Sequence, residues 1–189
     1  MRDPEKIDRR VMYTRMFLRE SLLALMRVKP IAKITPTELC RHAKMNRNTF
    51  YSHYDSPEAL LASIEDEFYD QVERSIEQSL AVGGISNVLT EICQAISDHH
   101  DLCVVLFSEY GDKAFLGRII SLAHESTLAE WQAAGVRADL VDIEMLYGYT
   151  VNGAVSVIEQ WVRGGMGLSP KEIAEFIHQA TAHGIHSFT

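Results

Sequence analysis

The chain has 189 residues, 47% of them hydrophobic, enough to bury one sizeable core, alone or with a small appended unit. It contains no run of about 18 apolar residues to cross a bilayer, and its charged start, MRDPEKIDRR, lacks the apolar stretch of a secretory signal, so a cytoplasmic location is expected. The net charge of −8 conceals a division: residues 1–56 hold twelve of the eighteen Lys/Arg but six of the twenty-six Asp/Glu, a net of +6 that leaves −14 for residues 57–189. A basic head on an acidic body suits a head that meets a polyanion and a body that repels it.

Helical signals run through the whole chain, and no convincing alternating strand occurs. In the first segment Val11, Leu18, Leu22, Leu25 and Met26 form an apolar stripe of helical period, closed by Pro30. Thr35-Pro36-Thr37-Glu38 then supplies an N-cap hydroxyl, a proline at the first helical position and a glutamate at the third, so a second helix is expected from Thr35 to about Ala43. Lys44-Met45-Asn46 forms the turn, Asn46 is a second cap, and Arg47 to Tyr54 make a third helix. Two short helices joined by so short a turn are a helix-turn-helix.

On the third helix Phe50 and Tyr54 stand four apart and share a face, which is assigned to packing against Leu18, Leu22 and Leu39. Arg47, Asn48 and Thr49 are left at the exposed N-terminal end. Arginine pairs bidentately with guanine and asparagine with adenine, while threonine offers a hydroxyl to a base or a methyl to thymine. These three are the candidate base readers, at the end of the helix that reaches base edges in this motif. Lys44, Tyr51 and His53 are candidate phosphate contacts, joined by Thr35 and Thr37 with the free N–H groups of the second helix. The arm carrying Arg2, Lys6, Arg9 and Arg10 either adds minor-groove or phosphate contacts or is a solvated, frayed end.

The stretch ITPTELCRHAKMNRNTFYSHYDSPEALL, Ile34 to Leu61, resembles the DNA-binding segment of the tetracycline-repressor (TetR) family, which ends its recognition helix in Thr-Phe-Tyr-x-His-Phe/Tyr. Here that sequence is Thr49-Phe50-Tyr51-Ser52-His53-Tyr54, and with the preceding helix the resemblance covers roughly residues 10–65. It implies Thr35, Thr37, Tyr51 and His53 as backbone contacts and Arg47, Asn48 and Thr49 as base readers. The chain departs from the family pattern at Lys44, where the family often has glycine in the turn, and at Pro57, where a phosphate-touching lysine is common. A left-handed backbone at Lys44 would cost roughly 1 kcal/mol.

Ser56-Pro57 starts a fourth helix, with Leu60, Leu61, Ile64, Phe68, Val72 and Ile76 on its stripe, that runs to about Leu80 before Gly83-Gly84. Further helices are expected at about 85–98, 101–110, 113–134 and 139–163, with a last one opened by Ser169-Pro170-Lys171-Glu172. The expected fold is all-α: an N-terminal three-helix helix-turn-helix head plus a C-terminal helical bundle, about nine helices. Residues 1–54 form the DNA-binding domain and 55–189 the ligand-binding and dimerisation domain.

The segment 139–163 has more apolar surface than one intrachain face can hide, and Gly148, Gly153 and Ala154 admit a close neighbour. With the last helix it is the expected homodimer interface, through Val155, Ile158, Trp161, Ile173, Phe176, Ile177 and Ala180; an intersubunit four-helix bundle is also what the resemblance implies. The middle helices carry Phe68, Tyr69, Cys103, Phe107, His124, Trp131, Tyr147 and Asn152, a mixture that can line an apolar cavity with a few orienting polar groups, although each taken singly suits plain core.

Cys40, Cys93 and Cys103 are odd in number and widely spaced, and read as small buried hydrophobes. His99-His100-Asp101 reads as a solvated interhelix turn rather than a metal cluster. No Ser/His/Asp order, glycine-rich phosphate loop or apolar carboxylate pair suggests turnover, so neither a catalytic centre nor a metal nor a cofactor is expected. The expected function is a one-component transcriptional regulator: a homodimeric repressor that binds a palindromic operator in double-stranded DNA and is released by a small-molecule inducer. Two alternatives stay open: a DNA-binding interaction protein of the same fold without ligand control, and a helical enzyme with an accessory DNA-binding head.

Overall fold

The computed structural model describes residues 4–82, 85–133 and 140–185. Among them are ten α-helices and one 3-10 turn, with no strand. The helices are α1 (Pro4–Met26), α2 (Pro36–His42), α3 (Arg47–Tyr51), α4 (Pro57–Val82), α5 (Ile85–Asp98), α6 (His100–Leu106), α7 (Lys113–Ser121), α8 (His124–Ala133), α9 (Leu140–Arg163) and α10 (Pro170–Ile185). The all-α architecture is as expected. The Gly83-Gly84 break and Arg2 lie outside the described residues, as do the side chains of Lys6 and Arg10.

Two compact units divide the chain, Met1–Glu67 with Val104–Asp112 and Phe68–Cys103 with Lys113–Thr189. In the first, α2 packs against α1 and α3. Leu18, Leu22, Met26, Leu39, Phe50 and Leu60 are each no more than 1% exposed, and removing such a side chain from water stabilises by about 1.5–3 kcal/mol. Val11 and Leu25 on the predicted stripe of α1 are half-buried. The Val104–Asp112 segment turns tightly after α6. A Cβ on Gly111 would lie 2.1 Å from the Leu106 carbonyl oxygen, so only glycine fits there.

In the second unit α10 packs against α5 and α9, and α8 against α5 and α9. Phe68, Val72, Leu102 and Phe115 are buried, and Trp131, Ile143 and Tyr147 form a cluster with Leu128, Leu146 and Val151 against them. All three cysteines are free and buried; burial pushes the Cys93 thiol up to about 12.

Local chemistry sets the helix ends. Ser56 Oγ accepts from the Ala59 N–H at the start of α4. At α10, Ser169 Oγ accepts from the Glu172 N–H at 3.3 Å while the Glu172 carboxylate accepts from the Ser169 N–H at 2.8 Å, a reciprocal cap. The Ser169 hydroxyl also donates to Glu172 Oε2 at 2.6 Å, and this bond first, with that from the Ser169 N–H, holds the Glu172 carboxyl below its ordinary range. Trp161 Nε1–H donates to the Leu168 carbonyl at 2.9 Å, bracing the turn between α9 and α10.

Three expected helices differ. α3 stops at Tyr51, with Ser52 as its C-cap, so Tyr54 lies beyond it and is half-buried rather than part of its packed face. The sixth element is Leu106-terminated and short. The single helix expected over 113–134 is two, α7 and α8, broken at Leu122-Ala123. There the Thr127 and Ser126 hydroxyls both donate to the Ala123 carbonyl, at 2.7 and 3.1 Å, competing with a continuous helical ladder.

Candidate nucleic-acid interface

The helix-turn-helix is built from two caps and one strained residue. Thr35 Oγ1 accepts from the Glu38 N–H at 3.2 Å at the start of α2, and Asn46 Oδ1 accepts from the Thr49 N–H at 2.8 Å at the start of α3. Between them the Lys44 N–H donates to the Arg41 carbonyl and the Met45 N–H to the Cys40 carbonyl, at 3.3 and 2.9 Å. This pattern ends a helix with one left-handed residue, and Lys44 is that residue, at φ +53°. The position that prefers glycine therefore keeps its left-handed geometry with lysine in it.

A further brace had no local sequence signature. Lys29 Nζ lies 2.5 Å from Glu38 Oε2, joining the loop after α1 to the first turn of α2 across nine residues. The Lys29 ammonium holds the Glu38 carboxyl below its ordinary range.

Arg47 and Asn48 are exposed and Thr49 is half-buried at the N-terminal end of α3. Thr35, Thr37, Lys44 and Tyr51 are exposed and His53 is half-buried, so every residue assigned to DNA lies in the first unit and is at least partly accessible. Phe50, fully buried, anchors the helix from beneath. Arg47 Nη2 donates to the Tyr51 hydroxyl at 3.3 Å, and the Arg47 guanidinium lies 5.7 Å from the Tyr51 ring centroid. The hydrogen bond to Tyr51 raises the guanidinium's affinity for its proton. The i, i+4 spacing of this pair was visible in the sequence, but the contact was not foreseen.

The residues assigned to a ligand pocket fall in both units. Phe107 belongs to the first unit and the others to the second. Phe68 meets the His99 ring edge at 5.3 Å and Phe115 at 6.4 Å; the Arg118 guanidinium lies 4.9 Å from the Tyr69 ring centroid. His99 is half-buried, with Nε2 2.6 Å from Gln71 Oε1, so it is packed and bonded rather than part of a solvated turn. His124 meets Tyr147 edge-on at 4.4 Å and pairs with Glu144 at 3.1 Å, tying α8 to α9. Burial is the main reason the Tyr147 hydroxyl is pushed above its ordinary range. Cys103 is buried, while Asn152 is exposed and donates to the Gly148 carbonyl of its own helix. Asn152 thus points a polar group along the surface of α9, where a pocket role required it inside. Among the described residues no group of three or more His, Cys, Asp or Glu could hold a metal ion.

Burial also sorts the expected dimer surface. Ile158, Trp161, Ile173 and Ile177 are between 4% and 7% exposed in the single chain, so the intrachain core has already absorbed them. Phe176 and Ala180 are exposed and Val155 is half-buried. The open apolar face of α9 and α10 is instead a groove of about 650 Å³ that includes Met145, Tyr149, Gly153, Ala154, Val157 and Phe176. Tyr149 is 80% exposed. A Cβ on Gly148 or Gly153 would meet nothing within 4 Å.

Comparison with known proteins places this geometry. No curated protein matches the chain by sequence. Among solved structures the fold is similar to a TetR transcriptional regulator from Streptococcus agalactiae 2603V, 18% identical over 95% of this chain and 99% of that one, TM-score 0.64. It is similar also to DhaS, an activator of a dihydroxyacetone kinase operon, at 17% identity over 93% of this chain and 97% of that one, TM-score 0.62. A third is the TetR-family repressor FadR of Thermus thermophilus in complex with lauroyl-CoA, 17% identical over 90% and 94%, TM-score 0.56. Residues 84–183, more than half of the chain, match the TetR-type family described as "Transcriptional regulator C-terminal region", and with the helix-turn-helix preceding them they establish that the chain belongs to the TetR family of transcriptional regulators.

Proposed function

We propose that this chain is a homodimeric repressor acting in the cytoplasm, with residues 1–54 reading a palindromic operator and residues 55–189 dimerising and receiving a small-molecule inducer. The observation that carries the reading is the presentation of Arg47, Asn48 and Thr49 at the capped N-terminal end of α3, within residues 1–56 of net charge +6. Those three read base edges; Thr35, Thr37, Lys44, Tyr51 and His53 seat the head on phosphates. One such helix makes few base contacts, and a dimer that sets two of them about 34–36 Å apart doubles their number.

The groove between α9 and α10, which half-buried Val155 does not line, supports dimerisation through Met145, Tyr149, Phe176 and Ala180, which do line it. These exposed apolar groups are costly in water and open to a second copy. An inducer acts if it binds one arrangement of the two heads better than the other, since equal affinity shifts no equilibrium. Support for an apolar ligand comes from the fold's use in the lauroyl-CoA complex of FadR.

Selection from a randomised double-stranded library, with sedimentation of the selected complex, tests this reading. A palindrome bound by two chains is the expected result; enrichment of no sequence would overturn it. A second reading, regulation through a protein partner without inducer, is favoured by Asn152, which is exposed and bonded to its own helix. A thermal-shift screen separates the two: a metabolite that raises the melting temperature and weakens DNA binding favours the inducer.

A further inference from the structure

The Arg47–Tyr51 pair carries an inference beyond the assignment of separate contacts. Tyr51 Oη has two lone pairs and one proton. Accepting from Arg47 Nη2 uses a lone pair and leaves the O–H free to donate to a phosphate oxygen. Arg47 has five N–H donors, so one spent on Tyr51 leaves a planar fork for a guanine edge. Tyr51 is itself oriented from below: its ring meets the fully buried Phe50 edge-on, with centroids 5.4 Å apart. A rigid aromatic therefore stands between the core and a long, otherwise mobile side chain at the exposed end of α3.

Resting on the DNA-reading role proposed above, we infer that Tyr51 is a positioning residue for Arg47, and that the two act as one unit linking a phosphate contact to a base contact. Base preference at the Arg47 position then depends on the Tyr51 hydroxyl, although that hydroxyl touches no base. The pairing also limits Arg47 before DNA arrives, reducing the freedom lost on binding.

The test uses the full chain and a duplex that the wild-type protein enriches from a randomised double-stranded library, with variants of that duplex changed at each position. Tyr51→Phe keeps the ring, its contact with Phe50 and its stacking on the guanidinium, and deletes only the hydroxyl. Thermal melts establish that both single variants are folded. Tyr51→Phe is expected to weaken the selected duplex roughly tenfold and to flatten preference at the same base pair that Arg47→Ala flattens. Added to Arg47→Ala, it should cost less than it costs alone and should no longer depend on the base pair, because only the phosphate contact is left to lose. Arg47→Lys should not restore the preference, since an ammonium makes no planar fork. Equal weakening of every duplex by Tyr51→Phe, multiplying with the effect of Arg47→Ala, would show an independent phosphate contact and overturn the inference while leaving the DNA-reading role intact. Enrichment of no duplex by the wild-type chain would remove that role and the inference with it.

Discussion

Replacing Lys44 with glycine perturbs the turn of the helix-turn-helix at a single torsion. Lys44 sits at φ +53°, where an L-residue with a Cβ is strained by about 1–2 kcal/mol. Glycine adopts that geometry without the penalty but enlarges the unfolded ensemble, offsetting about 0.4–1 kcal/mol of the gain. Lys44 is exposed, so its removal leaves the packing intact, and the bonds from the Lys44 and Met45 amides to Arg41 and Cys40 are backbone bonds that survive. Lys44→Gly should therefore stabilise the protein by about 0.5–1 kcal/mol, or roughly 1–4 °C in melting temperature for a chain of this size. Lys44→Ile, β-branched at positive φ, should move stability the other way. Urea unfolding followed by circular dichroism measures both, and the slope against urea should not change. DNA binding should move against stability: removing the ammonium lowers affinity for all duplexes alike and makes the salt dependence shallower by about 0.9 for each phosphate no longer neutralised. A Lys44→Gly variant less stable than wild type, at unchanged slope, would refute the claim that the turn is strained by its side chain.

Asn46→Ala should cost about 1 kcal/mol in the same unfolding assay, while Asn46→Ser, which retains a capping oxygen, should cost much less. Glu38 has a depressed folded-state pKa set first by Lys29, so its contribution is present above the ordinary glutamate range and lost as pH falls through the folded value. The stability difference between wild type and Glu38→Gln should accordingly shrink on acidification, and a difference that grows would contradict the Lys29 pairing. Phe176→Glu should yield folded monomers in sedimentation, whereas Ile158→Glu, at a site 6% exposed, should unfold the second unit before it disturbs any interface. A folded monomer from Ile158→Glu would place that side chain back at the subunit contact.

The features determined by the sequence itself are those whose causes lie within about four residues. The caps at Thr35, Asn46 and Ser169 each needed one side-chain oxygen and an amide three residues on, and all three formed. The conflict at Lys44 was legible for the same reason, since a turn that short admits few backbone paths. Other outcomes depended on neighbours distant in the chain. Lys29 reaches Glu38 because the 3-10 turn at Ile31–Lys33 folds the loop back toward α2. α9 is apolar on several faces, and periodicity alone could not tell which face turns inward. The tertiary structure buried Ile158 and Trp161 and left Met145 and Tyr149 in water, with both α8 and α10 packed against α9. Burial is a property of surfaces that meet, and a linear pattern specifies only one of the two.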